Sequence, residues 1–242
     1  MAAMPTLTVT AMVRSDSAPS ATALLRLLQL ASPALPVGAY SYSEGLEYAV
    51  ERGVVGDAAS LRAWLEDALR DGGPRIEAAI LFRAYDACQR KDFETLQYWN
   101  AWLTAARESE ELRLQNLDMG RALLRLLSDL KPLLSTAEAL LARPCNFVVA
   151  FAIAAAHWGV TREAAVLGYL QSWSANMVGA GVKLIPLGQT AGQQLLWDLQ
   201  ATIEEAAGAA ATMTDDDFAA GNWGHALASM GHETQYSRLF RS

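Results

Sequence analysis

Histidine and cysteine are scarce in this chain. Its 242 residues include three histidines, His157, His225 and His232, and two cysteines, Cys88 and Cys145. Transition-metal sites favour imidazole and thiolate ligands. No two of these five residues fall at close ligand spacing, so no tight, preformed metal site is expected within one chain. The cysteines lack CxxC spacing and read as small core residues of a reducing compartment. Basic excess is missing too. A net charge of −7 weighs against a nucleic-acid binder, which needs a cationic face to neutralise phosphates. Long apolar runs are absent: Phe147–Ala156 is about half the length a bilayer demands, so it reads as a buried helix. The expectation is a soluble, cytoplasmic protein without membrane association.

The usual signatures of catalysis are also lacking. The sequence contains no GxxxxGK[ST] phosphate loop, HExxH zinc helix, GxSxG elbow or GxGxxG turn. No polar cluster suggests a reaction, so neither catalytic residues nor a cofactor are expected. Sustained period-2 alternation is nearly absent as well, which argues against sheets.

What remains is helical periodicity almost throughout. Leu61, Trp64, Leu65, Ala68 and Leu69 follow an i, i+3, i+4 pattern behind a candidate cap at Asp57, and Gly72-Gly73-Pro74 ends that helix. Leu112, Met119, Leu123, Leu126 and Leu130 form a longer stripe. Ser135 and Glu138 have capping-box spacing. Further helices are expected over 21–31, 43–53, 75–90, 93–107, 146–158, 162–181, 189–207 and 215–230. Ala206–Thr214 is either a loose segment or an extension of the helix before it. The reading is an all-α, single-domain bundle of roughly ten helices. It has a flexible N-terminal arm over 1–20, a helical domain over 21–231 and a C-terminal tail over 232–242.

Four segments stand out. In the run from Leu30 to Glu47, two prolines and Gly38 are expected to hold the chain extended. Tyr40 and Tyr42 would then project to one side, and Ser43 would cap the next helix, with Glu44 and Glu47 in its first turn. Arg107–Arg113 mixes signs at i+3 and i+4, as a solvated helix face does. Gly179-Ala180-Gly181 lies within a helical pattern and suits a close helix crossing better than a phosphate cradle. Just beyond it, Lys183 is the only charged residue between Glu163 and Asp198. Its ammonium must reach solvent from a helix end, pair internally, or contact another protein. Finally, the tail His232-Glu233-Thr234-Gln235-Tyr236-Ser237-Arg238-Leu239-Phe240-Arg241-Ser242 is rich in hot-spot residue types for a chain terminus. It either docks on its own domain or engages a partner.

Taken together, Leu28–Glu47 with its Ser-Pro-x-Leu-Pro-Val-Gly core, Arg107–Arg113, Lys183–Thr190 and the tail resemble the UreF family, in that family's order. The resemblance runs from about residue 24 to Ser242 and departs at Gly231, where relatives often carry a basic residue. It implies a non-catalytic, homodimeric co-chaperone. Such proteins bridge UreD (UreH in some lineages) and the GTPase UreG, and the assembly delivers nickel to apo-urease. It makes Tyr40, Tyr42, Lys183, His232, Glu233, Tyr236, Arg238, Leu239, Phe240 and Arg241 the expected partner contacts. The tail is then expected to be mobile alone and to order on UreD. Tyr236 and Phe240 would fill partner pockets and Arg238 would meet a partner carboxylate. The rival reading is an all-α enzyme using Lys183, with His157 or His225 as acid or base. Direct nickel storage is disfavoured by the few histidines.

Overall fold

The structure is a computed structural model that describes residues 20–130, 143–218 and 221–242. The arm over 1–19 and the Ser135/Glu138 capping box lie outside the described residues. The described residues form helices α1 (Ala21–Leu30), α2 (Leu46–Glu51), α3 (Ala58–Asp71), α4 (Gly73–Arg90), α5 (Phe93–Ala106) and α6 (Glu110–Leu130). They continue with α7 (Phe147–His157), α8 (Arg162–Leu184), α9 (Gln189–Asp198), α10 (Gln200–Thr212) and α11 (Trp223–His232). No strand occurs among them, so the protein is all-α.

The apolar run read as a buried helix is the centre of the fold. Every residue from Phe147 to Ala155 in α7 is buried, as a helix apolar on all sides must be. It packs on α4 and α6 and touches α8, α5 and α1. Among the described residues no helix is long and apolar enough to cross a membrane. Helix α4 is nearly as enclosed, lying against α7, α10, α5 and α8. Around this pair α9 leans on α8, and α11 packs on α2.

Local chemistry sets most boundaries. Asp57 and Ser60 close a reciprocal capping box on α3, and Pro74 stands in the first turn of α4, where its missing N–H costs nothing. Asp92 and Thr161 cap α5 and α8. Helix α8 continues through Gly179-Ala180-Gly181 to Leu184. The crossing expected there is real: a Cβ on Gly181 would stand 2.3 Å from Leu61 Cδ2 of α3.

Three helical expectations need correction. The segment 189–207 bends at Leu199, a fully buried residue with ψ of −12°, and then runs on through the alanines to Thr212. The helix expected from 215 begins only at Trp223, where the Asn222 side chain accepts from His225 N–H. Ahead of it, Thr214 and Asp217 close a separate 3-10 turn over Asp215–Asp217. The third correction is Arg107–Arg113, which is no continuous solvated face. Helix α5 ends at Ala106 and α6 starts at Glu110, with Ser109 buried between them and its Oγ accepting from Leu112 N–H.

Candidate functional site: the C-terminal tail and its cradle

The loop before α2 is not extended. Leu35 and Val37 are buried, successive tight turns close at Leu35, Val37 and Ser41, and Ala39–Ser41 forms a 3-10 turn. Asn176 of α8 ties this loop down by donating to the Ala39 carbonyl. The turn sends the two tyrosines to different environments, contrary to expectation: Tyr42 is buried and Tyr40 is 69% exposed. Ser43 does not cap α2 as a regular N-cap either. Gly45 takes that position at φ +83°, a conformation a side chain disfavours. A Cβ there would also strike the Ser229 backbone nitrogen of α11 at 2.6 Å.

The Ser43 hydroxyl still accepts from Glu47 N–H in the first turn, and the residues around it form a cradle in which the tail lies. The Ser242 carbonyl oxygen accepts from Ser43 N–H (2.6 Å), Ser43 Oγ (2.7 Å) and Glu44 N–H (3.1 Å). Arg241 N–H donates to the Ser41 carbonyl, and the Arg241 guanidinium lies over the Tyr42 ring. Glu47 is buried, and its carboxylate accepts from the backbone N–H groups of Leu239 (2.6 Å) and Phe240 (2.9 Å).

His232, the last residue of α11, is fully buried between two carboxylates. Its Nδ1 stands 2.6 Å from Glu111 Oε2 and its Nε2 3.3 Å from Glu47 Oε2. An ionised carboxylate only accepts, so both contacts are satisfied when both ring nitrogens carry a proton. Glu111 also receives the Arg238 guanidinium. Glu233 reaches across to α6, accepting from the N–H groups of Glu110 and Glu111, where a helix N-terminus favours an anion.

The tail is therefore docked on its own domain, which corrects the expectation of a mobile segment. Phe240 is buried in its own chain, and Arg238 meets an internal carboxylate. Tyr236 is fully solvent-exposed and Leu239 is 65% exposed. Lys183 sits in the last turn of α8, exposed, with Nζ 5.4 Å from the centre of the Phe240 ring. Of its three expected situations, the structure shows a lysine that reaches solvent from a helix end beside the tail. Gly231 has a local reason: a Cβ there would meet the Tyr48 ring at 2.4 Å, and Arg52 already places a cation over that ring.

Beneath the cradle lies a buried polar cluster that sequence reasoning missed. Glu77 of α4 pairs with Arg107 and accepts from Tyr169 OH at 2.8 Å. Next to it, Glu44 accepts from Gln115 Nε2 (2.7 Å) and Trp173 Nε1 (2.9 Å). Burial, reinforced by the charge of Glu77, pushes the Glu44 carboxyl above its ordinary range. Burial also drives Tyr169 well up. For Arg107 burial acts downward, but the combined charges of Glu77, Tyr169, Glu108 and Glu44 outweigh it and hold the guanidinium above its ordinary range. The mixed signs around Arg107 were visible in the sequence; the partner on α4 was not.

His225 of α11 stacks on Trp64 at 3.8 Å, and burial lowers its imidazole to about 4. Below pH 6.5 the unfolded chain binds a proton that the folded chain refuses, so stability falls with pH until about 4. His225→Phe keeps an aromatic ring on Trp64 and removes this slope. Urea titrations should show the variant gaining about 2 kcal/mol over the native chain between pH 7 and pH 5. An unchanged difference would mean that His225 titrates normally in the fold. Burial likewise pushes the Cys88 and Cys145 thiols up to about 12. Among the described residues no group of three or more His, Cys, Asp or Glu side chains is placed to hold a metal ion.

A family model described as UreF matches residues 55–200. The urease accessory protein UreF of a Nostoc species is 53% identical over 218 residues, covering 90% of this chain and 95% of the relative. Its counterpart in a Synechocystis species is 48% identical over 234 residues, covering 92% and 99%. That of Hahella chejuensis is 42% identical over 220 residues, covering 91% and 98%.

Proposed function

The chain belongs to the UreF family of urease accessory proteins, and on that premise we propose that it bridges UreD (UreH in some lineages) and the GTPase UreG in the complex that matures the urease nickel centre. In this reading it works in the cytoplasm as a homodimer and has no catalysis of its own. Nickel is the cargo of the assembly, and apo-urease is engaged through the complex.

The observation that carries the proposal is a docked tail that still presents unspent anchors. Tyr236, Leu239 and Tyr40 remain in solvent while Glu47, Glu111 and His232 hold the backbone that bears the tail anchors. Pre-ordered aromatic and aliphatic anchors lower the entropy lost on binding, which is how a small patch achieves affinity. We assign this face to UreD. Lys183, beside the tail at the end of α8, lies on or beside the UreG surface. The rival enzyme reading has no comparable support: Lys183 is exposed at a helix end and His225 is stacked on Trp64.

Co-expression with UreD and UreG, followed by gel filtration and a GTPase assay, tests the proposal. All three chains should co-elute. Lys183→Ala should weaken UreG recruitment about tenfold or more, equivalent to about 1.4 kcal/mol, and leave the melting temperature and UreD binding unchanged. Failure of the native chain to bind UreD would remove the bridging role. A Lys183→Ala chain that recruits UreG normally would remove Lys183 from that surface.

A further inference from the structure

Glu44 is in an unusual position for a residue with a side chain. Its φ is +53°, in the left-handed region, a conformation shared among the described non-glycine residues only by Lys91. Such a residue stays there only when its surroundings over-determine it. Glu44 is held from two sides, and both holds lead to Ser242. On the backbone side, the consecutive N–H groups of Ser43 and Glu44 converge on the Ser242 carbonyl oxygen. On the side-chain side, Ser242 Oγ donates to Gln115 Oε1 at 2.6 Å, and Nε2 of the same amide donates to Glu44 Oε1. The Glu44 carboxylate, as an acceptor, takes the Gln115 amide nitrogen, and the amide oxygen is left to the Ser242 hydroxyl. The second Glu44 oxygen takes the Trp173 indole N–H.

Glu44 also has a place in the interior. With Glu77 and Trp173 it lines two cavities: one under the Ser32–Tyr40 loop, reaching Asn116 and Tyr169, the other beside α3 and α11, reaching Trp64 and His225. Its side chain stands in the wall that the two share.

We propose that the docked tail is a conformational device that holds Glu44 in its left-handed, inward-facing state. Withdrawing Ser242 removes the shared acceptor and the hydroxyl that anchors the Gln115 amide oxygen. The Glu44 backbone then relaxes to negative φ, its carboxylate leaves Trp173, and the two cavities lose one of the three side chains that line both. A partner that binds the docked tail and holds Ser242 in place is therefore felt at Glu44 and, beyond it, at the Glu77–Arg107 pair. Coupling of this kind is reciprocal, so disturbing Glu44 loosens the tail. Only the trigger rests on the partner-binding reading; the coupling is a property of the isolated chain.

The Trp173 indole N–H reports the state of Glu44. Its proton resonance, assigned with Trp173→Phe, is followed by hydrogen exchange in the full chain, in a chain lacking Arg241–Ser242 and in Ser242→Ala. Truncation should speed exchange of this proton at least tenfold and shift its resonance. Ser242→Ala, which spares the fold and removes only the Gln115 contact, should move both in the same direction by a smaller amount, about threefold in rate. Unchanged exchange in Ser242→Ala together with unchanged or unmeasurable exchange in the truncated chain would overturn the coupling. UreD binding measured on the same samples separates the two ideas. Retained UreD binding with an unresponsive Trp173 overturns the device and leaves the bridging role standing.

Discussion

Arg107→Met is expected to destabilise the fold by about 3–5 kcal/mol, the range for removing one partner of a buried ion pair. In a chain of this size that lowers the melting temperature by about 10 °C. The Arg107 and Glu77 side chains are 7% and 6% exposed. Without the guanidinium, the Glu77 carboxylate keeps only the Tyr169 hydroxyl, with Glu44 close by as a second acid. The loss comes from an uncompensated charge rather than from the pair's own net contribution. Replacing both partners, Arg107→Met with Glu77→Met, should therefore recover more than half of the lost stability. Thermal and urea unfolding of the two variants decides it. A single variant within about 1 kcal/mol of the native chain would mean that water reaches this cluster and solvates the orphaned acid.

Glu47→Ala should release the tail. That carboxylate accepts the Leu239 and Phe240 N–H groups and faces His232 Nε2. Its removal leaves buried donors unpaired in a segment already near the chain terminus. Charge-assisted hydrogen bonds contribute about 1.5–3 kcal/mol each. Losing two makes the docked state roughly a hundredfold or more less favourable. Hydrogen exchange should show residues 236–242 unprotected while α4 and α7 stay protected, and UreD should no longer co-purify. Glu47→Gln keeps an oxygen acceptor and should fall between the two. A tail that exchanges freely while UreD still binds at native affinity would show that the partner reads the tail's side chains and not its docked geometry.

Tail and cluster show why some features were legible and others were not. The Asp57 cap, the break at Gly72-Gly73-Pro74 and the apolar run of α7 were all readable, because each depends on residues within one or two turns. The resemblance carried by the Ser-Pro-x-Leu-Pro-Val-Gly loop and the tail pointed to the correct family. Ser43 was read as the cap of α2 from local spacing; Gly45 holds the N-cap position, yet the Ser43 hydroxyl still accepts from Glu47 N–H in the first turn. What spacing did not show is that the same hydroxyl donates to Ser242, 199 positions away. Arg107 was misread as solvated because its neighbours are charged, whereas Glu77 lies one helix back in the fold.

The sequence by itself determined that this protein is all-helical, that Phe147–Ala156 belongs to a buried helix, and that it carries a tail of anchor residues. Periodicity, composition and capping act within a few residues and leave their mark in order along the chain. Only the tertiary structure decided that the tail folds back, that His232 is enclosed between Glu47 and Glu111, and that Glu44 is half-buried in a left-handed turn near Glu77 and Arg107. Those contacts join residues far apart in the chain, and a buried carboxylate's partner is set by which helices cross above it. Spacing along the sequence carries no record of that.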